Sequence, residues 1–148
     1  MGLAKSVEVY CLDSIQGGMS QFYTPQTSNE TMLVEIPAHS VDNLFVHHFQ
    51  TDQLLVVKGS FILVVLQNRE YRYIPLRDSY PQVVKIPPGV PHAAINPNSE
   101  SCVLVNAVLR HGEKHPKDYQ PLPPPFPYDL EVATKTPPAF FSPLSKGG

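Results

Sequence analysis

Between residues 31 and 109 the chain is a succession of short β-branched and aromatic runs, each cut off by turn chemistry. The runs are TMLVEI at 31–36, NLFVHHFQ at 43–50, QLLVV at 53–57, FILVVLQ at 61–67, EYRYIPL at 70–76, VVKI at 83–86 and SCVLVNAVL at 101–109. KGS, QNRE, RDSYP, PPGVP and NPNSES separate them. Branched and aromatic side chains suit a pleated, half-buried surface, and Gly, Pro, Asn and Asp end it. No stretch combines a sustained 3.6-residue period with helix caps. Short strands at this spacing predict an all-β domain, an antiparallel sandwich or barrel. FILVVL is apolar at both parities, which predicts a strand covered on both faces.

Proline sets the second boundary. Of the 17 prolines, Pro116, Pro121, Pro123, Pro124, Pro125, Pro127, Pro137, Pro138 and Pro143 lie beyond residue 115. Proline fixes φ and has no N–H, so 116–148 is expected to hold neither a regular helix nor an interior strand. It reads instead as an extended arm following a domain over 1–115. Tyr119, Leu122, Phe126, Tyr128 and Leu130 give the arm apolar groups to lay on a surface, and the closing SPLSKGG reads as a tail.

With 148 residues there is room for one domain of ordinary size. The net charge of −2 lacks the basic excess of a nucleic-acid protein, so no nucleic-acid partner is expected. No apolar run is long enough to cross a bilayer, and MGLAKSVEVYCLDS lacks a secretory core. Cys11 and Cys102 form no CxxC pair. A reduced, cytoplasmic setting is the expectation. MGLAKS does satisfy the loose myristoylation pattern, with no polybasic neighbour to make it an anchor.

The chemistry gathers at the histidines. PPGVPHAAIN at 87–96 contains P-x-G-x-x-H-x-x-x-N in full, with Pro87, Gly89, His92 and Asn96. A Pro-Gly turn followed by a strand would carry His92 into a barrel mouth. This segment resembles the second motif of the cupin superfamily. Anchoring that superfamily's first motif on Gly59 puts Asp52 at its glutamate and His48 at its second histidine. Val46 and Ser40 then stand where its first histidine and leading glycine belong. The chain thus resembles a small single-domain cupin, which implies a double-stranded β-helix, or jelly-roll, barrel and commonly a homodimer.

Strand alternation, carried through this alignment, turns Val46 and His48 inward and His47 outward. His48, His92 and Asp52, with Gln53 as the alternative oxygen donor, then form a two-histidine, one-carboxylate set. Such a set suits a weakly held divalent metal such as Fe, Mn, Zn or Ni. Gln50 shares the face of His48. Asn106 faces inward if Leu104 does, and could orient a ligand. Arg72 is one of several arginines able to grip an anionic group.

A second resemblance lies within the same superfamily. His48-Phe49-Gln50 and IPPGVPH are similar to segments of the rhamnose-pathway nucleotide-sugar 3,5-epimerases, which use no metal. That resemblance implies a histidine, His48, that abstracts a proton beside a ketone, and a tyrosine that protonates the opposite face. The strand CVLVNAVLRH has Val105 and Asn106 where the tyrosine is expected, so Tyr73, Tyr71 or Tyr119 would have to serve. Three functions stay open: a metal-assisted enzyme or binder of a small polar molecule, a metal-free epimerase or isomerase, and a non-catalytic sensor barrel.

Overall fold

The computed structural model describes residues 6–15, 20–22, 27–113 and 118–137. Nearly all regular structure is strand, as the runs predict. β1 (Glu8–Cys11), β2 (Asp13–Ile15), β3 (Ser20–Phe22), β4 (Glu30–Ile36), β5 (Ser40–Val41) and β6 (Leu44–Val46) come first. β7 (Gln50–Lys58), β8 (Ser60–Gln67), β9 (Glu70–Arg77), β10 (Gln82–Ile86), β11 (His92–Asn96) and β12 (Cys102–Arg110) complete the domain. The arm adds β13 (Gln120–Leu122) and the short α1 (Leu130–Lys135).

Two antiparallel sheets face one another. The first has the order β1-β10-β7-β12-β4 and the second β13-β6-β11-β8-β9, with β5 also on β11. β2 and β3 pair separately. The jelly-roll expectation holds, but the sheets do not close into one hydrogen-bonded barrel. Between them lies the main core, which includes Leu54, Val56, Phe61, Leu63, Val84 and Leu104.

β8 shows why its sequence is apolar throughout. Phe61, Leu63 and Val65 enter the core between the sheets. Ile62 and Val64 face the other way and are also buried, beneath the arm's Leu122, Tyr128 and Ala133. Each such side chain taken from water contributes roughly 1.5–3 kcal/mol. Aromatic contacts and hydrogen bonds complete the docking: Tyr71 packs on Phe126 at 4.4 Å between ring centroids and donates to its carbonyl at 2.6 Å. Tyr128 donates to the Asp42 carbonyl at 2.9 Å.

The arm departs from expectation in one respect. LEVATK, in a proline-free gap, forms a helix, with the Asp129 side chain capping its N-terminus by accepting from Val132 N at 3.0 Å. Pro121 sits in β13, which lies at the edge of its sheet, where a missing N–H is tolerated. Among the described residues, no helix is long and apolar enough to cross a membrane. Gly2 of the myristoylation pattern lies outside the described residues.

Candidate functional site

A cavity of about 460 Å³ opens between the sheets. β7 and β12 present even-numbered residues to it: Gln50, Asp52 and Leu54 from one, Leu104, Asn106 and Arg110 from the other. β11 delivers His92 at its first position, opposite Phe45 on one side and Val65 on the other. Gly89 makes the preceding turn at φ +84°, a backbone region that favours glycine, and its N–H holds the His47 carbonyl at 2.7 Å.

The orientation of the adjacent histidines is the reverse of the sequence expectation. His47 lines the cavity with a side chain 14% exposed, while His48 is exposed and outside it. A single parity from Gly59 back through Asp52 to His48 requires NLFVHHFQ to be one strand. It is not: β6 ends at Val46, the chain bends, and β7 starts at Gln50 in the other sheet. In β6 the inward parity belongs to Phe45, with Leu44 packed on the outer cluster, and His47 continues the Phe45 side. Crossing between sheets shifts the parity by one. Asp118, from the arm, fixes the bend by accepting from His48 N at 2.7 Å and Phe49 N at 3.0 Å.

Three other candidates also lie elsewhere. Gln53 is on the far face of β7, donating to the Thr27 and Ala107 carbonyls at 3.0 and 2.9 Å, so it offers no ligand atom to the cavity. Tyr73 is on the outer face of β9 beneath the arm, where its hydroxyl accepts from Asp129 N at 2.7 Å. Arg72 is exposed on the same strand and does not line the cavity. Asn96 is fully buried and ties its own turn, donating to the Glu100 carbonyl and accepting from Asn98 N. Burial pushes the Cys102 thiol up to about 11, with Asp78 adding to it, so Cys102 is inert core.

What the fold does bring together is His47, Asp52 and His92. One ligand atom from each lies within 4.8 Å of the others. His92 Nδ1 is 2.9 Å from the Val90 carbonyl, which can only accept, so Nδ1 carries a hydrogen. Its Nε2 is 3.2 Å from Asp52 Oδ2. Two lone pairs cannot face one another there; a proton or a cation must lie between them. Burial pushes the Asp52 carboxyl up, but the His92 hydrogen bond, the charges of His92 and His47, and Asn106 outweigh it and hold it below the usual range.

A hydrogen-bonded chain runs behind this pair. Gln50 Nε2 donates to Asp52 Oδ1 at 2.7 Å, and Arg110 Nη1 donates to Gln50 Oε1 at 3.1 Å. Arg110 is itself paired with Glu30 through Nε and Nη2. Asn106 accepts from Gln53 N at 3.0 Å and also hydrogen-bonds the Asp52 carboxylate.

His47 is held differently. Its Nε2 is 3.9 Å from Asp52 Oδ2 and its Nδ1 is 3.9 Å from Asp118 Oδ2. His47 Nδ1 and Asp118 Oδ2 are both buried without a hydrogen-bond partner. Burial lowers the His47 pKa; Asp52 and Asp118 oppose this, and His92 and Arg110 reinforce it. The ring is therefore neutral at pH 7, with a carboxylate behind it. Tyr119, from the arm, stands beside it, 5.8 Å from His47 and 4.9 Å from Phe45 between ring centroids. Of the tyrosines weighed as proton donors, Tyr119 is the one lining the cavity. Asp118 and Tyr119 belong to the proline-rich arm, and no local signal marked Asp118 as part of the site.

No family model and no curated protein matches the chain. Solved structures do match its fold. A dTDP sugar isomerase from Desulfovibrio desulfuricans is similar with a TM-score of 0.64 and 17% identity, over 79% of this chain and 83% of that one. The sugar 3,4-ketoisomerase QdtA from Thermoanaerobacterium thermosaccharolyticum, solved with TDP, gives 0.61 and 18%, over 76% and 85%. The 4-keto-6-deoxy sugar epimerase NovW from Streptomyces spheroides gives 0.66 and 15%, over 93% and 78%. At these identities the likeness establishes the fold, the cupin jelly roll shared with dTDP-sugar epimerases and isomerases.

Proposed function

We propose that the cavity is an epimerase- or isomerase-type site that moves a proton on the carbon beside a carbonyl. The observation that carries this reading is a neutral, largely buried His47 that lines the cavity with the Asp118 carboxylate 3.9 Å behind its Nδ1. A neutral imidazole is a base at pH 7, and a carboxylate behind it stabilises the imidazolium that forms. Catalytic contacts of 3.9 Å in an unliganded site are of the kind that tighten once substrate is bound. His47 Nε2 takes the α-proton, the electron pair moves onto the carbonyl oxygen, and the hydrogen held between His92 Nε2 and Asp52 turns to the resulting enolate oxygen. Proton return from His47 restores the centre; return from Tyr119 on the other face inverts it. No redox partner is needed. The fold's similarity to sugar epimerases and isomerases supports the reaction class.

A second reading is favoured by the grouping of His47 Nε2, His92 Nε2 and Asp52. These atoms fit a two-histidine, one-carboxylate metal site. The Val90 carbonyl on His92 Nδ1 and Asp118 behind His47 Nδ1 are the outer contacts such ligands use. A divalent metal there would supply Lewis-acid polarisation of the same carbonyl.

Deuterium incorporation beside the carbonyl, followed by NMR in D2O, tests the reaction class on TDP-4-keto-6-deoxyglucose and on simple cyclic ketones. Incorporation into any of them above the protein-free rate is expected; none in any would end the proton-transfer reading. Elemental analysis after incubation with Fe(II), Mn(II) and Zn(II) separates the two readings, since stoichiometric metal would favour the second.

A further inference from the structure

The cavity has two chemically different ends. Beyond the His47–Asp52–His92 cluster its wall is hydrocarbon, formed by Leu54, Phe61, Leu63 and Leu104 and extended by Met32 and Val34. The first four are at most 8% exposed, so this wall is already in place before any ligand arrives. A wholly polar ligand would gain nothing from it.

The lining's cation is already engaged. Arg110 is the one lysine or arginine among the described lining residues, and it gives Nε and Nη2 to Glu30 and Nη1 to Gln50. The carboxylates of Glu30, Glu35, Asp42 and Asp52 share the lining. A diphosphate would either break the Glu30–Arg110 pair or sit among like charges, and low-dielectric walls enlarge that Coulomb cost. An uncharged carbonyl meets neither obstacle.

We infer that this cavity takes an uncharged, mainly hydrocarbon ketone, with its carbonyl at the His–Asp cluster and its body on the Leu–Phe wall, rather than a nucleotide-linked sugar. The inference rests on the proton-transfer reading only for where the carbonyl sits.

Calorimetric titration of the full chain with cyclohexanone, 2-decalone and TDP tests it. The second ring of 2-decalone adds hydrocarbon for the wall and nothing for the polar end. It should bind at least about tenfold more tightly than cyclohexanone, and more tightly than TDP. Met32→Glu, at the 40% exposed rim of the cavity on edge strand β4, should weaken 2-decalone about tenfold, while Met32→Leu should retain it. TDP binding more tightly than 2-decalone, or 2-decalone binding no better than cyclohexanone, overturns the inference. So does an unchanged affinity in folded Met32→Glu. If that variant does not fold, the ranking of the three ligands decides alone. The two proposals fail separately. Binding of 2-decalone without α-proton exchange sinks the reaction and keeps the ligand class. Exchange confined to the TDP-linked keto sugar does the reverse.

Discussion

The two segments that supply the cavity's histidines are built in opposite ways. Between Pro87 and Asn96 the turns at both ends are set locally, and long-range bonds such as Asn96 to the Ile36 carbonyl at 3.2 Å only add to them. Gly89 makes the turn, the Val90 carbonyl holds His92 Nδ1 two residues on, and Asn96 binds the N–H of Asn98. Between His47 and Asp52 almost nothing is local. The bend at 47–49 is tied by Gly89 N on one side and by Asp118, 70 residues beyond His48, on the other. A histidine in a self-contained turn can be placed from its motif. A histidine at a corner between sheets takes its direction from whatever packs on that corner.

The largest expected effect separates the adjacent histidines. His47→Ala should lower α-proton exchange by about 10²–10⁴-fold, the usual contribution of a positioned base. His48→Ala, exposed and outside the cavity, should leave the rate nearly unchanged. Equal losses in both would show that the corner does not hold His47 alone in the site.

Asp118→Ala should both destabilise the fold and slow exchange. It removes a carboxylate that accepts from two backbone N–H groups, worth about 2–3 kcal/mol by urea unfolding, and uncovers the back of His47. Asn96→Ala should cost stability on a similar scale, since it orphans the Ile36 and Glu100 carbonyls and the Asn98 N–H, yet exchange per folded molecule should be unaffected. If Asn96→Ala also slowed exchange, the two segments would not differ in the way described.

Gly89→Ala is a smaller perturbation. A Cβ there would meet nothing within 4 Å, so the penalty comes from φ +84° alone, about 1–2 kcal/mol. A much larger loss in thermal or urea unfolding would mean that the Gly89–His47 backbone bond depends on this turn geometry more than its distance suggests.

The smallest effect is in the pH dependence of stability. Burial holds folded His47 below its ordinary 6.5, so the unfolded chain binds that proton first. Stability should therefore decline as pH falls below 6.5, until folded His47 also protonates. Asp52 is held below its ordinary 3.8, so its contribution is present above 3.8 and lost as pH falls through the folded value. His47→Gln should remove the upper decline and keep the lower one. An unaltered upper decline would assign it to another group.

The all-β architecture was legible because alternation and turn residues act over a few neighbours. Each run from TMLVEI to SCVLVNAVL became a strand or part of one, except NLFVHHFQ, which divides between β6 and the first residue of β7; His92 begins the strand that follows its Pro-Gly turn. Even the apolar outer parity of β8 announced a second layer, which the arm supplies through Leu122 and Tyr128. Tyr73 and Gln53 could not be placed in the same way. Alternation states which residues share a face, and only packing states which face looks into the cavity.

By itself, then, the sequence determined the run of strands and the Gly89 turn that leads into His92. The tertiary structure alone decided that His47 rather than His48 enters the cavity, and that the arm adds Tyr119 to its lining and sets Asp118 behind His47. The reason is physical. Strand and turn preferences are backbone energies set by adjacent residues. The direction of a side chain at a corner depends on a parity shift between two sheets and on hydrogen bonds to a carboxylate far along the chain.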